Sequence, residues 1–241
     1  MKLYVVGFGC GSFGGMTEEA RQAIESSDLI VGYKVYTELL KQYFPQKDYF
    51  FTGMRQEKER VLYALEQAAS GRTVSLVCSG DSEVYGMAGL AYELSARFPQ
   101  ADIRTVAGLT AALSGGALLG APLTHDFAVI SLSDLLTPVE KIALRLECAA
   151  KADFVIALYN PSSKQRPDHL KKACEIVLKF RSPETVCGYA KNIGRDGEEY
   201  GVMTLSELAD FEADMFTTVF IGNSRTKIIN GKMVTPRGYD V

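Results

Sequence analysis

The stretch VSLVCSGDSEVYGMAG, residues 74–89, carries the pattern from which the class of fold follows. Val74–Cys78 is a short β-prone run. Ser79, Gly80 and Asp81 follow it at once, and helical spacing is expected from Tyr85 to Phe98. A strand that turns through glycine into a helix is half of a parallel βαβ unit. The same pattern recurs on both sides. Leu3–Val6 enters a Gly-rich loop, Gly7–Gly15. Thr17 then offers a helix N-cap, with Glu18 and Glu19 in the first turn, where the helix dipole favours anions. Ala20, Ala23 and Ile24 form the expected buried stripe, and Leu29–Val31 a second strand. Lys58–Ala69 reads as a helix, with Val61, Leu62 and Leu65 at helical spacing and Gly71 beyond its end. Ile103–Val106 is the next strand and Leu109–Leu119 a small-residue helix. Strands separated by helix-length segments predict an α/β fold.

The pattern breaks at Gly120, Ala121 and Pro122, the best linker candidate. Beyond it, Ala128–Leu132 and Phe154–Leu158 are apolar strands flanking a helix at Val139–Ala150. A helix at Lys171–Phe180 and strands at Thr185–Tyr189 and Met215–Ile221 follow. Asn230-Gly231, between Lys227–Ile229 and Lys232–Val234, is a type I′ hairpin signal, so the second half is mixed rather than purely parallel. Two α/β domains are expected, at residues 1–120 and 121–241, with a cleft between them.

Composition excludes several classes of function. The 241 residues are 47% hydrophobic and 23% charged, an ordinary globular balance. A net charge of −3 provides no basic field, so nucleic acid is not an expected partner. No apolar run is long enough to span a membrane, and the N-terminus has no signal-peptide pattern. The five cysteines, Cys10, Cys78, Cys148, Cys174 and Cys187, are dispersed without a CxxC pair, as expected of reduced thiols in a cytoplasm. His125 and His169 are too far apart in sequence for a helical zinc motif, so no protein-bound metal is expected.

Three segments could carry chemistry. The loop GFGCGSFGG at 7–15 invites a dinucleotide reading, but Ser12 stands at the third glycine position of the fingerprint. Asp28 precedes the second strand, and Tyr33 and Lys34 follow it, so the ribose-binding carboxylate is missing. No Gly-Lys-Ser/Thr follows either, which excludes a P-loop. The glycines are expected instead to let backbone approach a ligand. Asp81 lies at the C-terminal end of a parallel strand, where α/β sheets place ligands. Capping of the next helix is its simpler role, but capping does not account for Gly86 and Gly89, each costing about 1 kcal/mol against Ala inside a helix. In the third segment, residues 107–127, Gly115 and Gly116 fit a tight helix contact. His125 beside Asp126 is a candidate pair for proton transfer.

Taken together, these motifs resemble the S-adenosylmethionine-dependent tetrapyrrole methyltransferases. GDSEVYGMAG is similar to that family's GDPxVYGMAG loop, and GFGCGSFGGMT at 7–17 to its GxGPGxxxxMT opening. LGAPLTHDFAVISLSDLLTP at 119–138, DFVIALYNPSSKQR at 153–166 and GKMVTPRGY at 231–239 resemble the branch acting at carbon 17 of precorrin-3B. Cys10 and Ser82 stand where the family has proline, replacing a rigid φ by a freer one, and Val139 stands where the branch commonly has an aromatic.

The resemblance implies a homodimer and a methyl donor, S-adenosylmethionine, that leaves as S-adenosylhomocysteine. It assigns the donor to Ser79, Gly80, Asp81, Val84, Thr110 and Ala111, with Cys10 and Met87 beside them. Tyr159 and Asn160 join from the second domain, and Asn192 is a weaker candidate. The implied acceptor is precorrin-3B or cobalt-factor III, methylated with ring contraction. Asp81, His125 and Asp134 are the candidates for acid/base work. Lys34, Arg55, Lys191 and Arg195 are candidates for the acceptor's carboxylates. A sister enzyme acting on another ring carbon, an NAD(P)-linked oxidoreductase and a non-catalytic binding module are the competing readings.

Overall fold

The computed structural model of the chain describes residues 2–163 and 166–240 and divides into two compact units, Met1–Ala111 and Ala112–Val241. The division falls after Ala111, not at the expected linker after Gly120. Of the motif at 153–166, Lys164 and Gln165 lie outside the described residues.

The first unit alternates strictly: β1 (Lys2–Gly7), α1 (Glu18–Ser26), β2 (Leu29–Tyr33), α2 (Lys34–Lys41), β3 (Asp48–Thr52), α3 (Glu57–Ala69), β4 (Val74–Cys78), α4 (Ala88–Ser95) and β5 (Asp102–Val106). The strands form one parallel sheet in the order β3-β2-β4-β1-β5. Alternate residues fill opposite faces, as the two-residue strand period requires. Leu3, Val5, Leu76 and Cys78 pack with Val61, Leu65, Ala88 and Ala91 of α3 and α4. Val6, Ile30 and Val77 pack on the other face with Ala20, Ala23 and Ile24 of α1 and with Leu40 of α2. Each fully buried Val, Leu or Ile contributes about 1.5–3 kcal/mol. The Thr17 hydroxyl caps α1 by accepting from Ala20 N–H at 3.1 Å.

Two elements left no sequence signal. α2 follows β2 directly, with no capping side chain at Tyr33, and β3 has mostly half-exposed residues. The expected helix from Tyr85 starts only at Ala88, because Tyr85 has φ +56°.

The second unit contains α5 (Ala111–Leu119) beyond its first residue, β6 (Gly120–Ala121), β7 (Phe127–Ser131), α6 (Val139–Lys151), β8 (Val155–Tyr159), α7 (His169–Val177), β9 (Val186–Lys191), β10 (Glu199–Thr204), α8 (Leu205–Ala209), β11 (Thr217–Ile221), β12 (Lys227–Ile229) and β13 (Lys232–Val234). Its main sheet runs β10-β9-β11-β8-β7 and is mixed: β7 and β8 are parallel and the other pairs antiparallel. The hairpin turns at Asn230 (φ +51°) and Gly231 (φ +74°), as their dipeptide requires.

The supposed linker is a strand. Gly120 and Ala121 pair with Met233 and Val234, and a side chain at Gly120 would lie 2.8 Å from Lys232 Cβ. Glycine is there because β13 lies against it.

Candidate functional site

In the first unit, β1 and β4 are neighbours, yet their helices go to opposite faces: α1 packs on one and α4 on the other. Such a switch point splays the following loops apart at the carboxyl edge of a sheet, the usual ligand position in open α/β folds. Here the two loops are tied together. Gly9 N–H donates to Gly80 carbonyl at 3.0 Å, and Gly80 N–H to Gly9 carbonyl at 2.7 Å. The loop after β5 closes against both. A Cβ on Gly108 would stand 2.1 Å from Gly80 oxygen and 2.4 Å from Gly7 oxygen. A Cβ on Gly7 would stand 2.8 Å from Asp81 Cα and Gly108 N. Gly7 and Gly108 are therefore needed for backbone-on-backbone packing, whereas the glycines of the loop at 7–15 were expected to let backbone approach a ligand. Gly86 obeys the same logic, with Ser82 oxygen 2.1 Å from the place of its Cβ, whereas Gly14 and Gly89 face open space.

Asp81 is the fastener of this arrangement. Its Oδ1 accepts from Glu83 N–H (2.8 Å) and Val84 N–H (3.0 Å), and its Oδ2 accepts from Gly108 N–H (2.8 Å). Burial works to raise its pKa, but the backbone N–H groups of Gly108, Glu83, Val84 and Ser82 outweigh it and hold the carboxyl below the usual range. A carboxylate so satisfied is engaged with its own loops, a structural role that stands beside its acid/base candidacy. Ser82 explains one departure from the family motif. Its buried hydroxyl donates to Val106 carbonyl at 3.0 Å, anchoring the turn by a hydrogen bond where the family has the fixed φ of proline.

Cys10, Ser79, Gly80, Asp81, Val84, Thr110 and Ala111 gather on these loops. Cys10 Sγ lies 3.7 Å from Leu109 oxygen. A Cβ on Gly80 would be 3.6 Å from Thr110 Cα and 3.7 Å from Ala111 N. Met87 does not belong with them. Its side chain is buried in the core with Leu65 and Ala91, and its sulfur meets the Arg60 guanidinium at 3.5 Å.

Arg60 is the residue that sequence reasoning missed. Only 3% exposed, it donates from Nε to Thr52 Oγ1 (3.0 Å) and from Nη2 to Gly53 carbonyl (2.8 Å), and its guanidinium lies 5.9 Å from the centre of the Tyr33 ring. Desolvation lowers its pKa despite the opposing field of Glu57. Its signal was present: Arg60, Ala64 and Ala68 share the buried side of α3 at four-residue spacing.

The second unit groups other candidates beyond the carboxyl ends of β7 and β8. Tyr159 hydroxyl accepts from Ala112 N–H of α5 at 2.6 Å, and Asn160, at φ +52°, donates to Ser131 Oγ at 2.9 Å. Asp134 is paired with Arg166 Nε at 2.5 Å and lies 3.7 Å from His169 Nε2. His169 is oriented by Leu132 carbonyl, 2.9 Å from Nδ1. His125 is not in this group. It precedes β7 while Asp134 follows it, so roughly 13 Å of strand separates the two. His125 ring nitrogen accepts from Asp126 N–H at 2.9 Å, a local turn contact. Asn192, at φ +50°, donates to Gly197 carbonyl at 3.2 Å. Lys191 is taken up by Asp214 at 3.0 Å, which opposes its assignment to a ligand carboxylate.

A dinucleotide reading fails on geometry as well. Asp28 Oδ2 accepts from Thr73 N–H at 2.8 Å before β2 begins, and Lys34 follows that strand. Among the described residues, no three His, Cys, Asp or Glu side chains gather as a metal site, and no helix is long and apolar enough to cross a membrane.

Residues 2–209 match the family model of the tetrapyrrole (corrin/porphyrin) methylases. The chain belongs to that family. This tetrapyrrole methylase is 45% identical, over 98% of its length and 99% of the relative's, to the probable cobalt-factor III C(17)-methyltransferase of Salmonella typhimurium. It is also 45% identical over 99% of its length to the cobalt-factor III methyltransferase of Priestia megaterium, of which it spans only 45%. Its structure is similar to the crystal structure of the methyltransferase CobJ, with a TM-score of 0.89, 35% identity, and coverage of 97% of this chain and 99% of that one. The α/β architecture with one parallel and one mixed sheet is thus the tetrapyrrole methylase fold, and the protein is a methyltransferase of cobalamin biosynthesis.

Proposed function

We propose that the chain methylates ring carbon 17 of cobalt-factor III, or of its cobalt-free counterpart precorrin-3B, with contraction of the macrocycle. The observation that carries this reading is identity of 45% along nearly the whole chain with a relative named for that methylation. When bound, S-adenosylmethionine supplies an electrophilic methyl group on a sulfonium sulfur. Ser79, Gly80, Asp81, Val84, Thr110 and Ala111 are the residues proposed to hold it, with Cys10 beside them; Tyr159, Asn160 and Asn192 are the further candidates that the family resemblance names. The first-unit residues fit such a group. They are neutral except for Asp81, whose charge is spread over backbone N–H groups, leaving a mild negative field suited to a sulfonium. Val84 and the exposed Leu109 supply apolar surface for an adenine.

Methyl transfer is an in-line displacement and depends chiefly on holding two reactants at attack distance. The loops fastened by Asp81 suit that demand because three backbone N–H groups on two of them are tied to one carboxylate. Ring contraction also moves protons, and Asp134, held by Arg166 and His169, is the acid/base candidate proposed for that step. A cytoplasmic homodimer is part of the same proposal.

Anaerobic incubation with cobalt-factor III and S-adenosylmethionine, followed by mass spectrometry, tests the reading. A product carrying one additional methyl group is expected. Folded protein that yields none with either tetrapyrrole would overturn it. A second test concerns Gly89, whose open side has no neighbour in the protein. Gly89→Ala is expected to stabilise α4 by up to about 1 kcal/mol, raising the melting temperature by about 2–4 °C. Calorimetry should show weaker S-adenosylhomocysteine binding by the same variant. Unchanged affinity would remove Gly89 from the ligand's surroundings.

A further inference from the structure

In the second unit, the segments after β7 and β8 bring three ionisable side chains together. Asp134 follows β7, Arg166 follows β8, and His169 is the first residue of α7. Arg166 Nε stands 2.5 Å from Asp134 Oδ1, and His169 Nε2 stands 3.7 Å from Asp134 Oδ2. The two carboxylate oxygens therefore have different partners. The other imidazole nitrogen, Nδ1, lies 2.9 Å from Leu132 carbonyl oxygen. A carbonyl oxygen can only accept, so Nδ1 carries the hydrogen. In the neutral ring this leaves Nε2 bare, with its lone pair turned toward a carboxylate oxygen. At 3.7 Å the two acceptors stand just beyond hydrogen-bond distance, with a place for one proton between them.

The surroundings let that place fill and empty. The N-terminus of α7 carries partial positive charge, which opposes a permanent cation on His169, while Asp134 favours one. Arg166 occupies Oδ1 and leaves Oδ2 to the ring. On α7 itself, Lys171 is taken up by Asp210 at 3.5 Å. The Asp134 side chain is 32% exposed and that of His169 17%, so the carboxylate is the more open of the two. The same two strand ends are tied by Asn160, a methyl-donor candidate, which donates to Ser131 Oγ at 2.9 Å.

Methyl transfer needs such a place. One C–C bond forms and one C–S bond breaks, the sulfonium becomes a neutral sulfide, and the methylated acceptor discharges the positive charge as one proton. We propose that Asp134 and His169 take up that proton. Asp134 Oδ2 receives it from the acceptor. His169 Nε2 stores it, because an imidazole is more basic than a carboxylate. The pair thereby passes from carboxylate and neutral imidazole to carboxylate and imidazolium, with Nε2–H donating to Oδ2. Asp134 is the catalytic residue and His169 a positioning residue that acts through it. The assignment rests on the function proposed above and names the groups that serve its proton.

His169→Asn tests it, because an amide nitrogen can replace Nδ1 as the donor to Leu132 while nothing replaces Nε2. Asp134→Asn is the second variant. Turnover of cobalt-factor III is followed anaerobically by mass spectrometry across the pH range in which an imidazole titrates. His169→Asn should melt like the wild type, bind S-adenosylhomocysteine as before, and turn over about a hundredfold more slowly. The wild-type rate should fall in mild acid, where the store is already filled, and both variants should lack that fall. Wild-type protein that methylates neither cobalt-factor III nor precorrin-3B would overturn the proposed function and the store with it. An active wild type matched in rate and pH profile by His169→Asn would overturn the store alone. A slower variant that keeps the wild-type pH profile would make His169 a structural tie, which also overturns the store. So would a His169→Asn protein that melts several degrees lower and no longer binds S-adenosylhomocysteine, if Asp134→Asn keeps the fall in mild acid.

Discussion

Asp81→Asn is expected to destabilise the first unit by about 3 kcal/mol, although the substitution hardly changes shape. The carboxylate accepts from Glu83 and Val84 on one oxygen and from Gly108 on the other. An amide has only one oxygen. Whichever way it turns, its NH₂ group faces a backbone N–H at hydrogen-bond distance. One charge-assisted bond is lost, at about 1.5–3 kcal/mol, and a backbone donor is left without a partner. For a chain of this size, that corresponds to a melting temperature lower by roughly 6–12 °C.

The effect should depend on pH in a fixed direction. The carboxyl's folded pKa lies below its ordinary value near 3.9, so its stabilisation is fully present above that value. It is lost as pH falls through the lower, folded pKa. Melting curves of wild type and Asp81→Asn should therefore run parallel at neutral pH and converge in strong acid. An Asp81→Asn protein that melts like the wild type yet loses one limb of its pH–rate profile would make Asp81 an acid/base residue instead of a fastener.

Gly108→Ala is expected to be at least as damaging. The added carbon would meet two backbone oxygens, of Gly80 and Gly7, at 2.1 and 2.4 Å. Neither is the end of a flexible side chain that can swing away. Relief requires parting the loops after β1, β4 and β5, which also stretches the bond from Gly108 N–H to Asp81. Overpacking of 1–3 kcal/mol, added to that weakened bond, sums to about 4 kcal/mol. Gly14→Ala is the control, since nothing lies within 4 Å of its added carbon, and it should melt like the wild type. Calorimetric melting of both variants settles the comparison. Equal stability would mean that the loops are loosely held, and the glycines would again be free to serve a ligand.

The α/β class was legible along the chain, as were the elements of the first unit other than α2 and β3. β-Prone runs such as Val74–Cys78 alternate with amphipathic stretches such as Glu57–Ala69, and local periodicity suffices to find them. The hairpin at Asn230-Gly231 was equally plain, because its left-handed backbone is a property of the two residues themselves. The motif at 79–89 marked the loop after β4 and named Asp81. What Asp81 does was not legible, because its partner Gly108 lies on another loop and a backbone N–H leaves no mark in a sequence.

The remaining failures share that cause. Gly120 looked like part of a linker, but β13, more than a hundred residues later, lies against it. His125 and Asp134 were both acid/base candidates, and β7 runs between them. Arg60 was not singled out, and the two loops it braces, after β3 and β4, are brought together only by the sheet order. By itself, the sequence determined periodicity, capping, turn chemistry and membership of a family, all of which reside in neighbouring residues. Only the tertiary structure decided which backbone groups occupy a carboxylate and which glycines are pressed against other loops. Those facts depend on contacts between segments far apart in the chain, and residue identity alone does not encode their distances.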